Sequence, residues 1–390
     1  MKRIVLLLTG CFFIVMICSC DKDSSLQPDL TPVAESIQVK HTPDMATTET
    51  NFTLSLNGLP DESSAEEYEV KVDWDNDSVW DTEWQQAEGL THAYSETGNH
   101  IINILLKNSE GAEKKLEDTL YVPELVQITQ NNSQTFQGNV DWAPDGSNRL
   151  VFDWRVVAGG ENKEHKIFTV QYPGGTPQQV TYNPPQDVEC HQFAQWSPDG
   201  TKILFFCNKD LSGEYRIFDL QSQRTIFTIQ QDEPGMYAQW SPDGSKILST
   251  TSGKLKLSSI DEADTDILVT NQVAGFCFSP TGDRVAYFTA AERNSILRIF
   301  EIESYSEVKQ FNVNGMGAKP DWSPDGKWIS LGEEEGSLRI LHYSSGDVIT
   351  ISIGQLDNIW YPTWASDGSL LAFEATDGNT KTSIWGITFP

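Results

Sequence analysis

The chain has 390 residues, and its 56 Asp and Glu outnumber its 27 Lys and Arg to give a net charge of −29 at pH 7. A surface of this charge repels polyanions. Nucleic acid and bare anionic lipid are therefore excluded as expected partners, while basic proteins and neutral glycans remain open. At roughly 100–200 residues per domain, the length predicts about two domains with their own hydrophobic cores.

Residues 1–19 have the pattern of a signal peptide. Two basic residues precede an apolar run at 4–17 that is too short for a permanent membrane span. The run ends at Ile17-Cys18-Ser19-Cys20, which resembles the lipobox of bacterial lipoproteins. The resemblance implies that Cys20 is lipidated and anchors the chain to the outer membrane, on its periplasmic side or at the cell surface. The alternative is an ordinary signal peptide with a chance cysteine near its end.

Two segments follow the leader. Residues 20–35 are polar, contain two prolines and predict a flexible tether. From 36 to 123, short alternating runs such as those at 68–72 and 102–106 are separated by Gly, Asn and Ser, which predicts a small antiparallel β-sandwich. The segments VDWDNDSVWD, HAYSETG and ILLKNSEG resemble the PKD-type immunoglobulin-like domain, although Asn76-Asp77-Ser78 replaces the usual Gly-Asp-Gly turn.

An acidic loop in this region has the spacing of a metal site. Four carboxylates follow the pattern D-x-D-x-D-x-x-x-D, at Asp73, Asp75, Asp77 and Asp81. Alternate carboxylates in a loop suit a hard cation, so the loop predicts a structural calcium ion as the one candidate cofactor. A solvated acidic hairpin is the alternative, since Trp84 stands where an EF-hand has its bidentate Glu.

After residue 123 the sequence repeats itself six times. Each copy contains an aromatic residue followed by a Ser-Pro-Asp-Gly-like turn, at intervals of 38 to 54 residues. A period of about 40–45 residues is typical of a four-stranded propeller blade. The aromatic positions are Trp142, Trp196, Trp240, Phe278, Trp322 and Trp364.

The sixth repeat ends before a fourth strand. A segment upstream of the first repeat, within residues 124–132, matches an outer strand and predicts the closing strand of the last blade. The sequence therefore predicts an all-β chain: an immunoglobulin-like, PKD-like sandwich at 36–123, then a six-bladed β-propeller at 124–390. The repeats resemble those of TolB-like propellers, a group that includes periplasmic interaction proteins and propellers fused to peptidases.

Two cysteines of the second repeat are a candidate disulfide. A two-residue turn at Pro198-Asp199 would pair Trp196 with Thr201, and the same register would place Cys190 opposite Cys207. The alternative is a pair of buried thiols.

The starts of the innermost strands predict a ligand site at one mouth of the propeller channel. The candidate ligand-binding residues are His191, Tyr237, Lys319 and Tyr361. Two aromatic rings and a cation suit a peptide or a sugar. An ordinary channel rim explains the same residues.

The chain shows no sequence motif for nucleophilic or zinc-dependent catalysis. The first hypothesis is a monomeric, non-enzymatic envelope lipoprotein that binds or scaffolds a protein partner through its propeller. The alternative is a glycan-binding accessory of a polysaccharide-capture system, and a third hypothesis is a hydrolase or lyase in the channel.

Overall fold

The computed structural model describes residues 33–390 except 59–66, 131–135, 158–162, 182–189, 210–211, 231–236, 261–264, 271, 290–295, 314–318, 334–335 and 379–381. The regular elements of the described residues are β-strands, with no α-helix among them. The same residues contain no helix that is long and apolar enough to cross a membrane. The predicted signal peptide and Cys20 lie outside the described residues.

The N-terminal unit consists of two three-stranded antiparallel sheets around one apolar core. One sheet has the order β1-β3-β5 and the other β4-β6-β7. Alternate residues point inward, so that Phe52 and Leu54 of the first sheet meet Val70 and Ile104 of the second. The strands are β1 (Gln38–Thr42), β2 (Met45–Ala46), β3 (Phe52–Asn57), β4 (Tyr68–Asp73), β5 (Leu90–His92), β6 (Gly98–Asn108) and β7 (Glu113–Val122).

The end of the predicted tether packs onto this unit. Val33 is buried in its core, and the Lys114 ammonium donates hydrogen bonds to the carbonyl oxygens of Ala34 and Glu35, both at 3.1 Å. The predicted tether boundary at residue 35 is therefore too late, because an apolar side chain before it already joins the core.

The rest of the chain forms six sheets in which each repeat contributes an antiparallel meander. We call them blades 1 to 6. The first four are β9 (Gln137–Trp142), β10 (Arg149–Val157), β11 (Lys163–Gln171) and β12 (Gln178–Gln179); β13 (Cys190–Trp196), β14 (Lys202–Lys209), β15 (Ser212–Asp219) and β16 (Arg224–Gln230); β17 (Ala238–Trp240), β18 (Lys246–Thr251), β19 (Lys254–Ser259) and β20 (Thr265–Val269); and β21 (Val273–Phe278), β22 (Arg284–Thr289), β23 (Ile296–Glu301) and β24 (Ser306–Asn312).

Blades 5 and 6 differ from this pattern at their outer edges. Blade 5 contains β25 (Asp321–Trp322), β26 (Trp328–Gly332), β27 (Ser337–His342) and β28 (Val348–Ser352), and β2 adds to it in parallel as a fifth strand. Blade 6 contains β29 (Asp357–Trp364), β30 (Leu370–Thr376), β31 (Thr382–Thr388) and, as its outermost strand, β8 (Leu125–Gln127).

The repeated turn joins the first two strands of a blade through side-chain hydrogen bonds. In blade 2 the Ser197 hydroxyl donates to Asp199 Oδ1 at 2.6 Å and accepts from the backbone N–H of Lys202 at 2.9 Å. Gly200 takes φ = +65°, and its N–H donates to the Ser197 carbonyl at 2.9 Å. Ser241 and Ser323 make the equivalent bonds in blades 3 and 5. The repeat is thus conserved within this chain because it builds a loop.

Neighbouring blades bury their apolar faces against each other. One core cluster joins Leu248 and Leu257 of blade 3 to Phe276 and Tyr287 of blade 4. Another joins blade 1 to blade 6 through a set of side chains that includes Val140, Leu150, Ala372 and Ile384. The packing of the first blade on the last closes the ring, and the fold is a β-propeller.

The N-terminal unit is attached to blades 5 and 6. The backbone N–H of Thr350 donates to Asp44 Oδ2 at 2.8 Å, beside the β2–β28 pairing. The Tyr121 hydroxyl donates to the Thr388 carbonyl at 3.4 Å. Two separate contacts therefore fix this unit relative to the propeller.

The ring closure yields a stability prediction. The buried Thr129 hydroxyl donates to Gln137 Oε1 at 2.7 Å and accepts from the Ile384 N–H at 3.0 Å, which ties the closing segment to blades 1 and 6. Thr129→Val keeps the shape but leaves both partners buried without that bond. We expect the free energy of unfolding, measured by urea denaturation, to fall by about 1–3 kcal/mol.

The matched control is Thr225→Val on the outer strand of blade 2, where the threonine is exposed. It is expected to change the unfolding free energy by less than about 0.5 kcal/mol. Equal urea midpoints for the two variants would show that Thr129 does not hold the ring closed.

Candidate functional site

The first strands of the blades line the central channel, and in three places the residue that precedes a repeated aromatic ties one blade to the next. Asp141 Oδ2 accepts the N–H of Trp196 in the next blade, and Asp321 Oδ2 accepts that of Trp364, both at 2.9 Å. Gln239 Oε1 accepts the N–H of Phe278, also at 2.9 Å. These side chains therefore hold neighbouring blades together and face the channel at the same time.

One end of the channel is closed by two tyrosines from opposite blades. The hydroxyls of Tyr237 in blade 3 and Tyr361 in blade 6 are hydrogen-bonded at 2.8 Å, and the Phe193 ring packs edge-on against Tyr237. Only about 10 Å³ remains in the cavity that these rings share with Lys319. Such a volume holds about one water molecule. Burial raises the pKa of both tyrosines, so they stay protonated.

The structure thus brings together three of the four residues predicted to bind a ligand. Tyr237, Tyr361 and Lys319 line the small cavity. His191 is instead buried against the Phe205 ring, with ring centroids 4.9 Å apart, and does not line that cavity. Ligand binding at this end stays a prediction, and a ligand would have to displace the tyrosine pair to enter.

Strand bulges place the closing side chains. Asn139, Phe193 and Tyr361 lie in the first strands of blades 1, 2 and 6, each at a register shift and each with φ between +51° and +56°. A left-handed backbone is unfavourable for these side chains and turns them away from the regular alternation. Sequence reasoning missed this feature because aromatic residues such as Phe193 and Tyr361 rarely have a positive φ, so their residue types do not indicate one.

A buried acid pair lies behind the tyrosines. Asp153 accepts from Asn139 Nδ2 at 2.6 Å and lies 3.1 Å from His165 Nδ1, while Glu374 accepts the Asn139 N–H at 2.8 Å. Burial raises the pKa of both acids, most strongly that of Glu374, and His165 opposes the effect at Asp153. The acids are satisfied by protein donors, which gives them a structural role at the closed end.

The opposite end, where the repeated turns lie, is open. A cavity of about 440 Å³ is found there, and we call it the turn-face cavity. Prolines of the turns, including the exposed Pro144, Pro242 and Pro324, form its rim. Its wall is formed by the repeated aromatic residues Trp142, Trp196, Trp240, Phe278, Trp322 and Trp364.

Two carboxylates lie at the inner end of the turn-face cavity. Asp141 and Asp321 line it and are partly open to it. Burial raises the pKa of Asp141 to about 7 and that of Asp321 to about 6, against the effect of the Lys319 ammonium. The charge of Asp321 contributes to the rise at Asp141. Near neutral pH, the positive charge around the two carboxylates is therefore too small to keep both fully ionised.

The predicted disulfide is wrong in this structure. Cys190 pairs with Asn208 and Cys207 with His191, and no disulfide joins the two cysteines. The turn contains four residues rather than two, because Trp196 pairs with Ile203 and not with Thr201. A bulge between Gln192 and Gln195 then shifts the register again. Adjacent residues of a strand point to opposite faces, so a shift of one residue separates the two sulfurs.

Three of the four predicted calcium ligands come together. Carboxylate oxygens of Asp73, Asp75 and Asp81 lie within 4.8 Å of one another. Two oxygens bound to one calcium ion are at most about 5 Å apart, so this group fits the ion. The Asp77 carboxylate instead accepts the Val79 N–H at 2.7 Å. Asn76 and Ser78 have φ of +58° and +71°, a left-handed conformation that glycine adopts more readily than other residues.

Calcium titration tests this group. If Asp73, Asp75 and Asp81 bind the ion, calcium at about 100 times its Kd stabilises the protein by about 2.7 kcal/mol, and the melting temperature rises. We expect the rise in the wild type and its loss in Asp75→Asn/Asp81→Asn. Asp77→Asn is the matched control and should retain it. A melting temperature that is the same with and without calcium would argue for the solvated acidic hairpin.

Comparisons with known proteins agree with the fold but not with the families suggested by the sequence. The family model that matches is "Eukaryotic translation initiation factor eIF2A", a WD40-like β-propeller family, over residues 83–260. That stretch covers less than half of the chain. No curated protein sequence matches the chain.

The TolB-like and PKD-type resemblances are wrong as family assignments, because the matching family model is a different one and runs across the boundary at residue 123. The physical reason lies in the motif. The Ser-Pro-Asp-Gly bonds described above build a strand connection, so they identify a blade rather than a family.

Many solved structures are similar to the chain, and two of them serve as examples. Hydrazine synthase of Kuenenia stuttgartiensis has 16% identity and a TM-score of 0.41, covering 47% of this chain and 54% of its own. A chain of the mitotic checkpoint complex has 13% identity and a TM-score of 0.48, covering 68% of this chain and 93% of its own. This chain thus spans about half of the hydrazine synthase chain, and likeness at these TM-scores supports no functional comparison.

Proposed function

We propose that this chain is a non-enzymatic lipoprotein of the bacterial cell envelope whose propeller binds a protein partner at the turn face. The β-propeller fold suggests a scaffold for protein–protein contacts. The observation that carries the proposal is the contrast between the two channel ends. One end is filled by the Tyr237–Tyr361 pair, while the other opens into a cavity of about 440 Å³.

The geometry favours a protein over a glycan. At the closed end, the cavity of about 10 Å³ has no room for a sugar ring. At the turn face, the wall aromatics are each at most 8% exposed, because they are packed between blades. Sugars stack on an exposed ring face, which these side chains do not offer. The exposed prolines of the rim instead suit a peptide chain.

The same geometry supports a non-enzymatic role. Among the described residues, the convergent set of Asp153, His165, Tyr237 and Glu374 lies at the closed end, where the acids bond to protein donors. A hydrolase or lyase would need such a set in an open cavity. The envelope location and the lipid anchor rest on the lipobox that ends at Cys20.

Site-specific photo-crosslinking tests the proposal. Ser366 is exposed and lines the turn-face cavity, so p-benzoylphenylalanine placed there would touch a bound partner. In native cells that express the full chain, we expect ultraviolet light to produce a protein adduct at this position. Mass spectrometry of the adduct would identify the partner.

The control position is Glu117, which is exposed on β7 of the N-terminal unit. The proposal is overturned if both positions give the same adducts, or if Ser366 gives none and the protein binds a glycan array. The Cys20→Ser form tests the anchor in the same cells, and we expect it to leave the membrane fraction.

A further inference from the structure

The turn-face cavity has the make-up of a ligand site. Its outer wall is aromatic and proline-lined, while Asp141, Gln195, Gln239 and Asp321 converge at its inner end. Ligand sites are mostly apolar cavities of about 300–1,000 Å³ with a few placed polar groups, and about 440 Å³ falls in that range. The cavity has room for one long side chain and the adjoining backbone.

The charged groups at the inner end of the turn-face cavity lack one positive charge when both acids are ionised. Lys319 is 7% exposed, and its ammonium acts on Asp141 and Asp321 together. Ionisation of both acids leaves one net negative charge in a confined space. Burial raises the pKa of Asp141 to about 7, so the pair retains part of a proton at neutral pH. A single cationic group would replace that proton.

We propose that the turn-face cavity accepts a Lys or Arg side chain from a peptide segment of the partner protein, with its cationic group at Asp141 and Asp321. This inference rests on the proposed function, because it specifies the chemistry of the partner. The aliphatic stem of either side chain packs on the exposed prolines of the rim.

Charge and shape both favour this occupant. The chain as a whole is strongly acidic, with a net charge of −29, so a basic segment is drawn towards it. The Tyr237–Tyr361 pair blocks the other end, so the side chain enters from the turn face. A calcium or magnesium ion would leave the apolar wall unused, since these ions bind through oxygen ligands.

Peptide titration tests the proposal on the full mature chain. The probes are Ac-Ala-Ala-Lys-Ala-Ala-amide and the same peptide with norleucine, which has the stem without the charge. Indole N–H signals in nuclear magnetic resonance report on Trp142, Trp196, Trp240, Trp322 and Trp364 of the wall. We expect the lysine peptide to shift these signals and the norleucine peptide to leave them in place.

Asp141→Asn/Asp321→Asn is the decisive variant. Asparagine keeps an oxygen that can accept the N–H of Trp196 or Trp364, so the contacts between blades are retained. We expect affinity for the lysine peptide to fall at least about ten-fold. Glu113→Gln/Glu117→Gln, which removes two exposed acids of β7, has the same net charge and should bind as the wild type does.

A pH titration of the wild type gives a second measurement that needs no variant. Affinity should fall about ten-fold between about pH 8 and about pH 5.5, because protons then compete for the two carboxylates. Among the described residues, the other ionisable groups that face them are Lys319 and the Cys277 thiol. Burial raises the pKa of that thiol, so it stays neutral.

Three results would overturn the inference: equal binding of the norleucine peptide, unchanged affinity in the double Asn variant, or no indole shift in the wild type. Its failure is distinguishable from failure of the proposed function. If Ser366 crosslinks to a partner as strongly in the Asn variant as in the wild type, the propeller binds a protein without this cationic contact. If peptides bind but no crosslink forms, the site stands and the partner role fails.

Discussion

The fold depends on the packing of the last blade against the first. Each blade buries one face on the blade before it and the other on the blade after it, so an open row would expose two apolar faces. The cluster that joins Val140 and Leu150 to Ala372 and Ile384 removes both. These residues are more than 200 positions apart, so the contact has a large loop-closure entropy and forms only when the intervening blades are in place.

The same closure positions the N-terminal unit. β8 is the outermost strand of blade 6, and it begins three residues after β7 ends. The connection is too short to let the two parts separate freely. The parallel pairing of β2 with β28 then adds a second attachment on blade 5, where it covers an outer edge strand.

The sequence predicted the blades because their turn chemistry is local. The bonds of the loop are made within six residues, from Ser197 to Lys202, so the repeat could be recognised without any distant partner. The register of blade 2 was not predictable in the same way. It depends on a four-residue loop and on a bulge at Phe193, which has a positive φ without being glycine.

The channel was predictable only in part for a similar reason. Tyr237 and Tyr361 were identified as channel residues, but the bond between them joins positions 124 residues apart in opposite blades. Its formation depends on the diameter of the closed ring. In the acidic loop, likewise, the spacing identified the carboxylates, whereas the turn of the backbone at Asn76 and Ser78 decided that Asp77 points elsewhere.

Specificity of the proposed turn-face site must come from the residues that the repeats do not share. The aromatic, proline and glycine positions recur around the ring and give a nearly uniform rim. The position before each aromatic varies, being Asp141, Gln195, Gln239, Cys277, Asp321 and Thr363 in chain order. Those side chains already join neighbouring blades in three cases, so their geometry is fixed before any partner arrives. A set of polar groups held by the fold in this way loses little entropy on binding, which is the condition for selective recognition at the end of the channel.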